Sequence, residues 1–293
     1  MKTLGIIANC RKARARDVVQ EVARCAARQG IHLCFDAETG RLLDRADVPG
    51  EAEFFEKAEA VLVLGGDGTL LRVARDLHGR ATPLIGGNIG GLGFLTSVAE
   101  EDLARALECL AADEFDVERR AVAECCVLQG DEEMARLRGL NEVVVARSPT
   151  SRIASIHLSI DGGAVTSYLC DGLIVATPTG STGHSLSSGG PILLPGARAF
   201  VVSLICPHTL SSRPLVVPDR AEVIIAPGDG MEGLVLTVDG QTDRALAVDE
   251  RVRVRRAEAP VNLIHLPGYS YFAVLRHKLG WRGSHVESAV ERS

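Results

Sequence analysis

The sequence predicts an α/β domain of the Rossmann-like type followed by a β-rich domain of the β-sandwich type. Three observations predict it. Strand and helix signals alternate through the first 120 residues, apolar residues then alternate with polar ones, and helical signal stays scarce until near the C-terminus.

The elements follow in order. Thr3 to Ala8 reads as a buried strand. A helix follows to about Gln29, with Val18, Val22, Ala23 and Ala26 on one face and Gly30 just past its end, where a left-handed residue closes helices. Ile31 to Phe35 reads as a second strand. Ala60 to Leu64 is apolar throughout and ends in glycines, as a strand covered on both faces should be. Pro83 to Ile85 is another short strand. Ser97 and Glu100 have the spacing of a capping box and predict a helix through Leu110.

Beyond residue 120, Ala154, Ile156, Leu158 and Ile160 alternate with polar residues, as Val252 and Val254 alternate with arginines. Turn signals such as Asp161-Gly162-Gly163 and Pro227-Gly228-Asp229-Gly230 bound these segments and predict antiparallel sheets. Tyr271 to Leu279 is the one clear late helix. The expected division is 1–120 and 121–265, with the helical stretch 266–293 returning to the first domain. No internal repeat or low-complexity linker is evident.

Composition excludes several classes. The chain has 293 residues, 46% hydrophobic and 24% charged, with a formal net charge of −6. That charge disfavours broad binding to nucleic acid or anionic membrane. No apolar run has signal-peptide or membrane-helix character. The eight cysteines are scattered without Cys-x-x-Cys, which predicts reduced thiols in a cytoplasmic protein.

Six segments carry chemistry. Gly65-Gly66-Asp67-Gly68-Thr69 follows a buried strand and precedes a helix. Glycines there let the backbone approach a phosphate beside the helix N-terminus. A carboxylate among them suits a hydroxyl that must lose its proton. The same pentapeptide also fits a plain corner with Asp67 as an N-cap. Gly86-Gly87-Asn88-Ile89-Gly90-Gly91-Leu92-Gly93-Phe94-Leu95-Thr96 has five glycines, for close backbone approach or for a flexible connection. Asn141-Glu142 places an amide beside a carboxylate, a pair able to take adjacent ribose hydroxyls but also a common turn. The stretch Asp171 to Pro191, with Thr177-Pro178-Thr179-Gly180-Ser181-Thr182 at its centre, is dense in hydroxyls and glycines and suits a phosphate-bearing ligand. It is not a Walker A loop. Nor is Ser185 a hydrolase nucleophile elbow, since Ser187 stands where the final glycine belongs. Cys206-Pro207-His208-Thr209-Leu210-Ser211-Ser212-Arg213-Pro214 and Asp239-Gly240-Gln241 are polar strand ends when taken singly.

In this order and spacing the segments resemble the NAD kinase family, from about residue 60 to Lys278-Leu279-Gly280-Trp281. Gly-Gly-Asp-Gly-Thr alone is shared with diacylglycerol and sphingoid kinases and, more loosely, phosphofructokinases; the other segments narrow the match. The resemblance implies phosphorylation of the 2′-hydroxyl of NAD's adenosine ribose to give NADP, with ATP or inorganic polyphosphate as donor. It implies Mg²⁺ or another divalent metal, for which no protein ligand is predicted. It also implies a homo-dimer or homo-tetramer with the site in a cleft between the domains. The rival readings are a lipid or sphingoid kinase using the same Asp67 motif, and a non-catalytic NAD sensor.

By the same resemblance Asp67 is the catalytic base. Gly65, Gly66, Gly68 and Thr69 hold the donor's phosphates, and Gly68 also lies in the dinucleotide site. Arg72, Asn141, Glu142, Arg152 and Gln241 contact the substrate. Asp171 meets the nicotinamide end, and Thr182, Gly183, His184, Ser185, Leu186 and Ser187 wrap the dinucleotide. Two departures stand out. Gly183-His184 replaces the family's usual Ala-Tyr, exchanging a large ring for an imidazole whose charge changes near pH 6.5 when free, so NAD binding is expected to weaken at acidic pH. Leu169 stands where many relatives carry an arginine.

Overall fold

The computed structural model describes residues 1–281 apart from 46–47, 92, 150–152 and 210–211. The chain forms two compact units.

The first unit comprises Met1–Val73, Thr82–Glu118 and the chain from Leu263 on. Its elements begin with β1 (Thr3–Ala8), α1 (Ala15–Arg28), β2 (His32–Phe35), α2 (Ala37–Leu42) and α3 (Glu51–Lys57). They continue with β3 (Ala60–Gly65), α4 (Asp67–Asp76), β4 (Leu84–Asn88), α5 (Leu103–Ala111) and β5 (Asp116–Arg120). The sheet order is β2-β1-β3-β4-β18-β5, where β18 is the late strand Val261–His265. β1, β2, β3 and β4 pair in parallel, and β18 joins β4 in parallel. Every residue of β3 is buried, as its unbroken apolar run requires. One core cluster joins Leu4, Ile6, Leu62, Leu64 and Ile85 of the strands to Val18, Val22, Leu103 and Leu107 of α1 and α5. Gly30 adopts φ 69° after α1, the left-handed closure that its sequence position predicts.

The predicted capping box does not form. Glu100 opens a short 3₁₀ turn with Ala99 as its cap, and α5 begins only at Leu103. Ser97 lies on chain returning beside β4, where Val98 bridges Gly87. Glu100 pairs with Arg14 at 2.7 Å instead of turning back to cap.

The second unit comprises Ala74–Ala81 and Arg119–Asn262. Its strands are β6 (Ala123–Gln129), β7 (Glu132–Gly139), β8 (Glu142–Arg147), β9 (Ala154–Ile160), β10 (Gly163–Cys170) and β11 (Gly172–Ala176). After the one-turn helix α6 (His184–Ser187) come β12 (Ala199–Ile205), β13 (Leu215–Pro218), β14 (Val223–Pro227), β15 (Leu234–Val238), β16 (Thr242–Leu246) and β17 (Glu250–Arg256). Two six-stranded sheets result, β10-β9-β14-β17-β6-β7 and β13-β12-β11-β8-β15-β16. Alternate residues of both, among them Cys125, Ile156, Val223 and Val254 of one sheet and Val145, Val175, Val202 and Leu236 of the other, make a single buried cluster. That is the core of a β-sandwich. Asp161 and Gly162 take φ 50° and 76° in the tight turn between β9 and β10. The last helix, α7 (Tyr271–Leu279), has Ser270 as its N-cap and Gly280 as its left-handed C-cap.

Candidate active site

In the first unit the site grows from the carboxyl ends of β1, β3 and β4, where ligands of open α/β sheets gather. Gly65 aligns with Asn88, and the Asn9 and Ile89 N–H groups bond to the Leu64 and Gly65 carbonyls. α4 starts at once. The Gly66 carbonyl accepts from Thr69 and Leu70, so Asp67 is already the first helical residue rather than its cap.

The Asp67 carboxylate is held by the glycine-rich loop instead. Oδ2 accepts the Phe94 N–H at 2.8 Å. Oδ1 accepts the N–H groups of Leu95 at 3.0 Å and Thr96 at 3.2 Å, and meets the Thr96 hydroxyl at 3.3 Å. The loop reaches Asp67 because it closes on itself: the Val98 N–H bonds to the Gly86 carbonyl at 3.0 Å and the Asn88 N–H to the Val98 carbonyl at 2.8 Å. Its glycines make that possible. A Cβ on Gly86 would stand 2.7 Å from Thr96 Cα, and one on Gly93 would run into the Asp67 carboxylate.

The neighbouring predicted residues divide by environment. Gly66 has nothing within 4 Å of where a Cβ would stand, and Gly68 is exposed. Gly65 is closed off, because its Cβ position lies 2.8 Å from Thr69 Cβ. Arg72 is half-buried, and its charge reaches the Cys10 thiol just past β1. Lys12, which the sequence did not single out, donates from Nζ to the Ile89 carbonyl at 2.7 Å and so places a cation beside the same strand ends.

The second unit gathers another group at one end of the sheet containing β8 and β11. Asn141 and Glu142 open β8. The Asp239 carboxylate accepts the N–H groups of Leu140 and Asn141 at 2.8 Å and of Glu142 at 3.0 Å. From the other side the Thr177 hydroxyl donates to the Leu140 carbonyl at 2.6 Å, and the Asn141 carbonyl accepts the Thr177 N–H at 2.8 Å. Gly180 packs against the Asn141 backbone so closely that any side chain there would collide with it. The Asn141-Glu142 turn is thus clamped by residues about 100 and 40 positions away.

Glu142 is 7% exposed, and its Oε2 has no hydrogen-bond partner. Burial, then the charge of Asp239, pushes its carboxyl up to about 7, opposed by the His184 backbone N–H. The Cβ position of Gly183 is 3.2 Å from that oxygen and 3.8 Å from the Asn141 amide nitrogen. Thr179 Oγ1 is likewise buried and unpartnered. A buried polar atom without a partner costs about 1–3 kcal/mol, which a ligand's hydroxyl can recover.

The remaining predicted residues fall as follows. His184 is exposed at the start of α6, Thr182 donates to the Thr179 carbonyl at 3.1 Å, Leu186 is half-buried and Ser187 exposed. Ser185 points inward to Ser203 at 2.9 Å. Gln241 stands at the Glu142 end, where its Oε1 accepts from Arg75 at 3.2 Å. Asp171 does not join this group. It precedes β11 at the opposite end, since Ala176 pairs with Glu142 but Gly172 with Ala146. About five residues of strand, roughly 15 Å along the sheet, separate the two positions. Asp171 instead pairs with Arg147 at 2.6 Å, which holds its carboxyl below the usual range. Leu169 is exposed. Arg152 lies outside the described residues.

This chain matches the ATP-NAD kinase N-terminal domain over residues 4–115 and the ATP-NAD kinase C-terminal domain over residues 140–266. It is 39% identical over 290 residues to an NAD kinase of Syntrophotalea carbinolica, covering 96% of this chain and 99% of that one. The chain belongs to the NAD kinase family. An NAD kinase of Gemmatimonas aurantiaca is 46% identical over 226 residues, covering 77% of this chain and 78% of the relative. Among solved structures, an NAD kinase from Archaeoglobus fulgidus in complex with ATP superposes with a TM-score of 0.76 at 25% identity, covering 97% and 100% of the two chains. Yeast NADH kinase complexed with NADH shares the fold, with a TM-score of 0.89 at 22% identity and coverage of 97% and 89%. NAD kinase membership accounts for the pairing of an α/β unit with a β-sandwich.

The sequence did not single out Thr96, Asn88, Asp239, Thr177 or Thr179 for any role. Thr96 and the two threonines from 177–179 sit inside segments already marked by glycine and hydroxyl density, and that density is the signal that points to them.

Proposed function

We propose that this chain transfers the terminal phosphoryl group of ATP to the 2′-hydroxyl of the adenosine ribose of NAD, giving NADP, with Asp67 as the general base. The observation that carries the assignment of the base is the unequal loading of its two oxygens. Oδ1 has three donors and Oδ2 one. A carboxylate oxygen offers about two acceptor positions, so Oδ2 keeps a place for one more hydrogen bond. In the reaction the ribose O–H bond breaks and its proton passes to Oδ2. The ribose oxygen forms a new bond to the γ-phosphorus. The bond from that phosphorus to the bridging oxygen breaks, and its electron pair leaves with ADP. Because the transition state is loose, positioning and charge neutralisation dominate.

Gly66, with open space at its Cβ position, and the exposed Gly68 support a backbone approach to the donor's phosphates, with Lys12 and Arg72 as nearby cations. Glu142, with its unpartnered oxygen, and Asn141 suit ribose hydroxyls. Among the described residues no group of three His, Cys, Asp or Glu side chains could hold a metal. A divalent ion such as Mg²⁺, where bound with the donor, would neutralise phosphate charge.

The chain is further assigned to the cytoplasm as a homo-dimer or homo-tetramer. All eight cysteines are free thiols, in keeping with a reducing compartment. Leu169 and Val216, on β10 and β13 at sheet edges, are 54% and 53% exposed, which suits subunit contact. No helix among the described residues is long and apolar enough to cross a membrane.

The test is an end-point assay with Mg²⁺, NAD and either ATP or polyphosphate, reading NADP with an NADP-specific dehydrogenase. NADP forms with the wild type, and Asp67→Asn loses about 10²–10⁴ in rate. Near-full activity in Asp67→Asn overturns the base. Binding of NAD with no turnover on either donor favours a sensor.

A further inference from the structure

Thr96 is fully buried, and every hydrogen-bonding position of its hydroxyl is taken. Oγ1 accepts from the Asn88 side-chain amide at 2.9 Å and from the Gly93 N–H at 3.1 Å. A hydroxyl has two acceptor positions and one proton. With both acceptor positions filled, the proton goes to Asp67 Oδ1 at 3.3 Å. Asn88 is itself anchored, 2% exposed, with its second amide hydrogen on the Gly91 carbonyl. A chain of fixed polarity therefore runs from the loop backbone through Asn88 and Thr96 to one oxygen of the carboxylate.

We infer that Thr96 is a positioning residue whose hydroxyl holds the Asp67 carboxyl in the rotation that presents Oδ2 to the ribose hydroxyl. Its hydroxyl adds a side-chain contact to Oδ1, which the Leu95 and Thr96 N–H groups already occupy, and so fixes the rotation of the carboxyl group, leaving Oδ2, with one donor, as the acceptor for the ribose hydroxyl. Asn88 sets the direction in which the Thr96 proton points. Without the Thr96 hydroxyl, the backbone N–H groups remain but the side-chain hold on Oδ1 is lost, and the carboxyl plane can turn away from in-line geometry. The inference rests on Asp67 as the base.

The experiment compares Thr96→Val, Thr96→Ser and Asp67→Asn with the wild type. The measured quantities are kcat, the KM values for NAD and ATP, and the unfolding midpoint. A hydrogen bond to a charged group is worth about 10–100-fold in rate when it is made in the transition state. Thr96→Val is expected to lose about that factor in kcat, with both KM values within roughly threefold of wild type. Thr96→Ser, which keeps the hydroxyl, restores kcat to within roughly threefold. Wild-type kcat in a folded Thr96→Val overturns the inference, as does an equal loss of kcat in Thr96→Ser. Should Thr96→Val fail to fold, Asn88→Ala takes its place. It leaves the hydroxyl present but unaimed, and an unchanged kcat there overturns the inference. The base is judged separately: full activity in Asp67→Asn removes the base reading whatever Thr96 does, whereas an inactive Asp67→Asn beside a fully active Thr96→Val removes only the role of Thr96.

Discussion

The Asp239 carboxylate accepts the backbone N–H of Glu142 at 3.0 Å, and its negative charge acts on the Glu142 side chain. One acidic residue thus positions the backbone of another and makes it harder to ionise. Burial and then Asp239 push Glu142 up to about 7, and burial raises Asp239 as well. Near neutral pH, Glu142 is partly protonated in the folded chain. In Asp239→Asn the titration of Glu142 should move toward the ordinary carboxylate range, followed by carbon-detected NMR of a labelled glutamate carboxyl. An unmoved titration assigns the whole effect to burial.

Stability should carry the same signature. The folded-state value of Glu142 lies above its unfolded one, so its favourable contribution is complete below about pH 4.5 and is lost as pH rises through about 7. Glu142→Gln removes that slope. At pH 4 the variant and the wild type should unfold alike, and at pH 8 the variant should be more stable, by on the order of 1–3 kcal/mol. Urea denaturation across this range measures it, and parallel curves at every pH contradict it.

Binding should respond in the opposite sense to stability. An ionised carboxylate is the stronger acceptor for a ribose hydroxyl, so the KM for NAD should fall as pH rises from 6 to 8. Glu142→Gln should flatten that dependence. Glu142→Ala should raise the KM about 10–100-fold with little change in kcat. His184→Tyr, measured alongside, separates any contribution of the exposed imidazole.

The glycines should divide by what lies beside them. Gly66 has open space at its Cβ position, so Gly66→Ala should fold as the wild type does yet raise the KM for ATP if, as proposed, the donor's phosphates approach there. Gly93→Ala has no such room and must displace Asp67. It should lose kcat by roughly 10² or more, approaching the loss expected for removing the base. Equal, small effects at both positions on activity and melting temperature contradict this division.

The parts of this protein legible from sequence are those whose cause is local. The run Ala60 to Leu64 is buried throughout, Thr3–Ala8 and Tyr271–Leu279 have the predicted bounds, and period-two alternation marks β9 and β17. The short helices α2 and α3 leave no clear signal in the sequence, because six or seven residues hold too little of a 3.6-residue period to stand out. Ser97 and Glu100 had the right spacing for a cap, but the partner that won Glu100 is Arg14, 86 residues earlier in the chain.

The sequence by itself determined the fold class, the family, and the short motifs that bring glycines, hydroxyls and acids together. Patterning of apolar residues and turn chemistry act over a few residues, and one chain records them fully. Only the tertiary structure decided which of those groups meet. It turned the Asp67 carboxylate onto a loop 27 to 29 residues later, clamped Asn141-Glu142 with Asp239 and Thr177, and put Asp171 at the far end of the same sheet. The reason is physical: a side chain that bonds to backbone across a fold is chosen by where strands return, and strand register is a property of the packed sheet.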